Sequence, residues 1–329
     1  MMNLLSEREL QNLTTKEKIR YFGELREQCL DIKKKTPKGT MLARNFVRTI
    51  YPPIVRRYEY EVIGKEYVPE NGKAIFVCNH SNSHDFFTPL EVMHDYFGLE
   101  PSLYVAKDDL NLSTQGIFAA CNAVLVDRND KESTQRGIFE LCSKIMLSDS
   151  VPGWMYAEST WNMHPFRLMQ KLKKGAALES AITGYPIIPT IIEYVEVKNA
   201  VDRESKLYEK CIVKFSYPMY IRPLESLISQ TEELERIMRA SRANLRRKLG
   251  IERYSLRDVD PYTYVNHTCL KKFNGFGFKY DSLSEQKFLL STDGKPVDNE
   301  YRINEHGILV PGITTEEESK KFIMNKIGR

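Results

Sequence analysis

The feature that most narrows the fold is an alternation running from about residue 60 to residue 220. Short apolar runs rich in β-branched and aromatic residues recur at Ala74–Cys78, Leu103–Ala106, Ala123–Val126, Trp154–Ala157, Ile187–Tyr194 and Ile212–Phe215. Among them lie Phe86–Tyr96, Lys131–Leu147 and Gly175–Thr183, which carry helical apolar spacing. Short runs without polar alternation suit strands buried on both faces. Their repetition with helices implies an α/β fold, with a mostly parallel central sheet flanked by helices. In such sheets the functional groups gather at the carboxyl ends of strands. The unusual polar clusters fall there: Asn79–Asp85 after the first run, Asp127-Arg128 after the third, Glu158–Asn162 after the fourth.

The flanking segments have a different texture. Residues 6 to about 34 are charged, with apolar residues at helical spacing (Ile19, Phe22, Leu25, Cys29). From Lys33 to Arg57 there are eight basic residues and no acidic one, interleaved with Met41, Leu42, Phe46, Val47, Ile50, Ile54 and Val55. Such a basic amphipathic stretch suits an anionic lipid surface, or else packing on its own domain with a solvated basic face. No nucleic-acid-binding motif accompanies it, and nucleic acid is not expected as a partner. Residues 231–253 read as another helix, with Arg236, Arg239, Arg242, Arg246 and Arg247 expected on a solvated face. Beyond residue 254, Tyr, Asn, Gly and Lys dominate, suggesting short strands and turns. The expected division is 1–58, an N-terminal helical segment that docks on a membrane; 59–253, the α/β core; and 254–329, a small C-terminal appendage of unknown role.

The charge balance of +4 is weak, so its local distribution matters more than its sum. Six cysteines without a Cys-x-x-Cys pair, several in apolar runs, fit buried thiols in a reducing compartment. The first residues reach Glu7 and Glu9 with no apolar stretch between, unlike a secretory signal, and no run is long enough to span a bilayer. The expected location is the cytoplasm, peripheral on the inner face of a membrane.

His80 follows the first buried run and has Asp85 five residues on. An imidazole at a strand end is a general base if a carboxylate holds its other nitrogen. It would take a proton from a substrate hydroxyl, as the histidine of a serine-enzyme triad does from serine. With six histidines in the chain, this spacing alone is weak. Rival readings are a locally capped histidine and a metal site built from His80, His84 and Asp85. Arg128 could instead pair with Asp127 or Asp130, and Glu158 could cap a helix.

The company His80 keeps adds weight. Val77-Cys78-Asn79-His80-x4-Asp85 resembles the first motif of the glycerolipid acyltransferases, typified by lysophosphatidate acyltransferase, whose hallmark is Asn-His-x4-Asp. Ala106 through Leu110, Gly116 and the run Ala123 to Arg128 resemble the second motif. Tyr156-Ala157-Glu158-Ser159-Thr160 resembles the third, usually aromatic-Pro-Glu-Gly-Thr. Lys173-Lys174-Gly175 with Tyr185-Pro186-Ile187-Ile188-Pro189 resembles the fourth. The resemblance covers about residues 60–220.

It implies O-acyl transfer from an acyl thioester, either acyl-CoA or acyl-carrier protein, to a lipid or glycan hydroxyl. His80 would be the base and Asp85 its partner. Arg128 would bind an acceptor anion, and Glu158, Ser159, Thr160, Trp161, Asn162 and Lys174 would contact the acceptor. Asn79, Pro186 and Pro189 would shape the acyl-donor pocket. No metal or bound cofactor is called for, because the thioester supplies the activated acyl group. The third block departs from the family pattern. Ala157 and Ser159 replace Pro and Gly, and Trp161 with Asn162 stands where a basic residue is common. A flat aromatic face beside an amide suits a sugar or polyol ring, so a glycolipid or saccharide acceptor is the alternative expectation. A non-catalytic lipid-binding protein is a further one.

Overall fold

The computed structural model describes residues 4–32, 58–80, 83–106, 115–116, 118–119, 122–127, 129–158, 169, 171–196, 209–249, 301–303 and 309–311. The basic stretch 33–57 and most of 254–329 lie outside the described residues.

The charged N-terminal stretch forms two helices, α1 (Glu7–Asn12) and α2 (Thr15–Leu30). Each starts with a capping box. Ser6 pairs reciprocally with Glu9, and Thr14 with Glu17 (Thr14 N–H to Glu17 2.8 Å). Thr14 stops the first helix by nucleating the second. Four side chains of α2 are buried: Tyr21, Phe22, Leu25 and Cys29. They pack against α4 (Lys131–Leu147) and α5 (Gly175–Thr183).

The remaining elements are β1 (Tyr58–Ile63), β2 (Ile75–Cys78), α3 (Phe87–Phe97), β3 (Ser102–Ala106), β4 (Val124–Val126), β5 (Gly153–Tyr156), β6 (Ile187–Glu196), β7 (Glu209–Phe215) and α6 (Leu227–Leu249). Among the described residues seven strands form one sheet, in the order β1-β7-β6-β2-β5-β3-β4. β2, β3, β4, β5 and β6 run parallel, while β7 is antiparallel to β6 and β1 parallel to β7. The sheet is therefore mostly parallel, as the alternation implies. Every residue of β2 is buried, in keeping with its place at the middle of the sheet. Farther along the chain Tyr301–Ile303 and Leu309–Pro311 pair as two short antiparallel strands, β8 and β9.

One face of the sheet is covered by α2, α4, α5 and α6. Gly137 lets α4 sit close on it, since a Cβ there would come within 2.7 Å of the Val126 side chain. The other face packs under α3 around aromatic rings. Phe76 stacks on Trp154 (5.4 Å between centroids), and Phe215 meets Phe76 edge-on. Among the described residues no helix is long and apolar enough to cross a membrane.

The arginine helix departs from the sequence expectation. Its described part, Leu227–Leu249, starts four residues before 231, residues 250–253 lie outside the described residues, and its basic face is not wholly solvated. Arg242 is 2% exposed and binds Glu193 of β6, itself buried, while Arg246 Nε donates to the same carboxylate at 2.8 Å. Helical periodicity shows that the arginines share a face, but the acidic partner of Arg242 and Arg246 comes from a strand some 50 residues away.

α5 buries Glu179 completely, with no hydrogen-bond partner on either oxygen. Burial pushes its carboxyl well above the ordinary range. The nearby Tyr104 hydroxyl opposes this without making a full hydrogen bond. A group whose folded pKa is raised stabilises the fold below its unfolded value and loses that contribution as pH climbs through the folded one. Glu179→Gln keeps the shape and removes the titration. The variant's stability advantage over the parent should therefore widen as pH rises above about 4.5, the ordinary carboxylate value, and then level off. Urea midpoints measured across pH would settle this. Parallel curves for the two proteins would contradict a raised, buried Glu179.

Candidate active site

β2 lies between β6 and β5, so the chain leaving it emerges at the centre of the sheet's carboxyl edge. The next two residues are gripped from both sides. Asn79, fully buried, donates its side-chain amide to the Ile192 carbonyl at 2.9 Å and accepts from the Ile192 N–H at 2.8 Å. On the β5 side, the carboxylate of Glu158 accepts the His80 backbone N–H at 2.8 Å, and Glu158 is only 2% exposed. One side chain thus continues the sheet ladder toward β6, and the other closes it toward β5.

The chain then makes a short 3-10 turn, Ser83–Phe86, at the start of α3. This turn brings Asp85 back to His80, with His80 Nδ1 2.9 Å from Asp85 Oδ2. The Asp85 side chain is entirely buried, whereas that of His80 keeps 19% of its surface exposed. A carboxylate only accepts hydrogen bonds, so the shared proton belongs to Nδ1, and Nε2 is the nitrogen that would meet a substrate.

Two tyrosines complete the surround. The Tyr156 ring stacks on the imidazole at 4.4 Å, and its hydroxyl donates to the Asp85 backbone carbonyl. The Tyr194 hydroxyl donates to Asp85 Oδ1 at 2.5 Å. Burial, with Asp85 nearby as a further cause, pushes the Tyr156 hydroxyl and the Cys78 and Cys211 thiols well above their usual ranges. All three therefore stay protonated near neutrality.

His80 and Asp85 are thus in contact, and Glu158 and Asn79 lie beside them. Glu158 reaches the His80 backbone, and Asn79 spends both ends of its amide on Ile192. Lys174 sits half-buried at the N-terminus of α5. Its neighbour Lys173 donates its N–H to Ala157 at 2.9 Å, so this pair lies at the same edge of the sheet as His80. Pro189 is buried inside β6, level with Val77. Pro186 is not brought to the site. Its carbonyl accepts the Ile75 N–H at the far end of β2. Five residues of extended chain separate that level from His80, or about 16 Å. Arg128, Ser159, Thr160, Trp161 and Asn162 lie outside the described residues, as does the His84 side chain. Among the described residues no three His, Cys, Asp or Glu side chains converge as metal ligands.

The residues that sequence reasoning missed are Tyr194, the clamping role of Tyr156 and the backbone contact of Glu158. A signal for Tyr194 existed. Thr190, Ile192 and Tyr194 alternate along β6, so one face of that strand ends in a hydroxyl. Only strand adjacency shows that this face looks at Asp85.

The crystal structure of the 1-acyl-sn-glycerophosphate (LPA) acyltransferase PlsC from Thermotoga maritima is similar at a TM-score of 0.45 and 16% identity, over 69% of this chain and 89% of that one. No curated protein sequence matches the chain. Residues 59–193 match the family model described as Acyltransferase. That span runs from β1 into β6 and contains His80, Asp85 and Glu158, so the part of the chain that is similar to the acyltransferase family is the part that holds the candidate site.

Proposed function

We propose that the protein moves a fatty acyl group from an acyl thioester, acyl-CoA or acyl-carrier protein, to a hydroxyl of a lysophospholipid, glycerol phosphate or related lipid or glycan. The observation carrying this reading is the 2.9 Å contact between His80 Nδ1 and a fully buried Asp85, at the carboxyl edge of the sheet within an acyltransferase-family segment. His80 Nε2 takes the proton of the acceptor hydroxyl as its oxygen attacks the thioester carbonyl. Asp85 holds the ring and stabilises the imidazolium that forms. When the tetrahedral intermediate collapses, the C–S bond breaks, and the departing thiolate recovers the proton from His80. The products are an ester and a free thiol, and no redox partner or metal enters the balance.

Arg128 and Lys174 are assigned to an anionic group on the acceptor. The stretch from Lys33 to Arg57 is assigned to anionic lipid, holding the protein peripherally on the cytoplasmic face where acyl chains and amphiphilic acceptors are concentrated.

The test is thiol release from acyl-CoA by the purified protein, with product identification by mass spectrometry, across lysophosphatidate, glycerol phosphate and glycolipid acceptors. Acceptor-dependent thiol release with ester formation is expected. Failure with every acceptor, and with acyl-carrier protein as donor, would overturn the reading. A second reading of the acceptor rests on Trp161 and Asn162, which stand where the family commonly has a basic residue. It expects a glycolipid or saccharide to outcompete lysophosphatidate. Efficient turnover of lysophosphatidate in the same panel would remove it.

A further inference from the structure

The second oxygen of Asp85 has a dedicated partner on a strand that the acyltransferase motifs do not explain. Asp85 Oδ2 faces His80, and Asp85 Oδ1 accepts the Tyr194 hydroxyl at 2.5 Å. Tyr194 belongs to β6, in register beyond the end of β2. Its oxygen also lies 3.1 Å from Thr88 Oγ1 on α3. The donor direction follows from the carboxylate. Asp85 can only accept, so the tyrosine proton points at Oδ1, and the Thr88 hydroxyl must donate to the tyrosine oxygen. Around Thr88 lie the Tyr60 hydroxyl from β1 and the Cys211 thiol from β7. Burial keeps both of these protonated, and Glu91 of α3 approaches Tyr60.

We propose that Tyr194 is a positioning residue for His80: by fixing Asp85 Oδ1 from β6, with Thr88 orienting its hydroxyl, it holds Oδ2 in line with the imidazole Nδ1–H. The inference rests on the acyl-transfer reading for its consequence in turnover, and on geometry alone for its consequence at the imidazole. A buried carboxylate with a single partner can pivot about its Cβ–Cγ bond, whereas one bonded on both oxygens to elements of a rigid sheet cannot. The chain of contacts also draws on β6 and α3, so the imidazole is aimed by parts of the fold that lie outside its own loop.

The experiment compares the full-length parent with Tyr194→Phe, Thr88→Val and His80→Ala. Histidine is labelled with nitrogen-15, and the His80→Ala spectrum identifies the low-field Nδ1–H resonance of His80. Tyr194→Phe should move that resonance and speed its exchange with water. It should also lower kcat about tenfold, as expected for one lost hydrogen bond to a charged group, with KM for donor and acceptor within about twofold. An unchanged resonance with parental kcat would overturn the proposal. If Tyr194→Phe does not fold, Thr88→Val decides in its place: a smaller shift in the same direction upholds the inference, and none overturns it. A parent without acyl transfer would sink the functional reading instead, and the resting-state resonance would still decide the role of Tyr194.

Discussion

His80→Ala should abolish acyl transfer, with turnover falling on the order of 10²–10⁴-fold, the usual contribution of a positioned general base. The acceptor hydroxyl is far too weak an acid to ionise unaided near neutral pH, and in the proposed mechanism His80 Nε2 receives its proton. Asp85→Asn should be nearly as damaging for a different reason. An amide in place of the buried carboxylate can turn its NH2 toward Nδ1 and favour the wrong imidazole tautomer, and it offers no charge to an imidazolium. Both variants should fold, because the side-chain bridge at Asn79 and the Glu158 contact to the His80 backbone do not depend on either residue. Binding to anionic vesicles should also survive, since the basic stretch assigned to it is separate in sequence. The measurement is initial-rate thiol release, with vesicle co-sedimentation as the control. Survival of acyl transfer in His80→Ala would discard the base mechanism outright.

The largest effect on stability is expected at Glu193. Burial pushes its carboxyl up, but Arg242 and Arg246 together hold it below the usual range. A depressed folded pKa contributes stability that is present above the unfolded value and lost as pH falls through the folded one. The greater cost comes from removing the charge entirely. Glu193→Gln leaves Arg242 buried without its carboxylate, and breaking a buried pair from one side typically costs about 3–5 kcal/mol. Arg246 is partly exposed and can turn toward water, so Arg242 carries most of that cost. Replacing both partners, as in Glu193→Met with Arg242→Met, should recover most of the loss, because apolar side chains of similar volume fill the gap without a stranded charge. Urea unfolding near pH 7 checks the comparison. A single variant within about 1 kcal/mol of the parent would show that Arg242 is solvated on its own.

Local patterns carried the fold further than they carried the site. The bounds of α4 and α5 coincide with the stretches read from apolar spacing, and six strands fall within a few residues of their apolar runs. β1 went unread because Tyr58–Ile63 alternates charged and aromatic residues (Tyr-Glu-Tyr-Glu) and sits at the sheet edge, where burial leaves a weaker imprint. The split between α1 and α2 was legible in Thr14-x-x-Glu17, a capping box that the apolar spacing of Ile19, Phe22, Leu25 and Cys29 does not mark. His80 and Asp85 were readable because both lie within one short turn. Tyr194 and Arg242 were not, since each acts on a residue that only the sheet order or helix packing brings near. Pro186 shows the converse. The resemblance of the fourth block assigned it with Pro189 to one wall, yet β6 carries the two along the sheet, and the Pro186 carbonyl bonds Ile75.

Asn79 has a consequence for how the site can adapt to its substrates. Both ends of its amide occupy hydrogen-bonding places that a next residue of β2 would otherwise fill on Ile192, and Glu158 fastens the following peptide to β5. The loop bearing the imidazole is therefore indexed to the sheet, like a tooth on a rack, and sliding it by even one residue would strand the Ile192 amide. Aspartate at position 79 would set an acceptor against the Ile192 carbonyl, and glutamine would overreach by a methylene, so geometry alone restricts the choice there. Under the proposed mechanism the imidazole stays fixed to the sheet, so the substrates come to it, and tolerance for different acyl chains or headgroups falls to the segments around the turn.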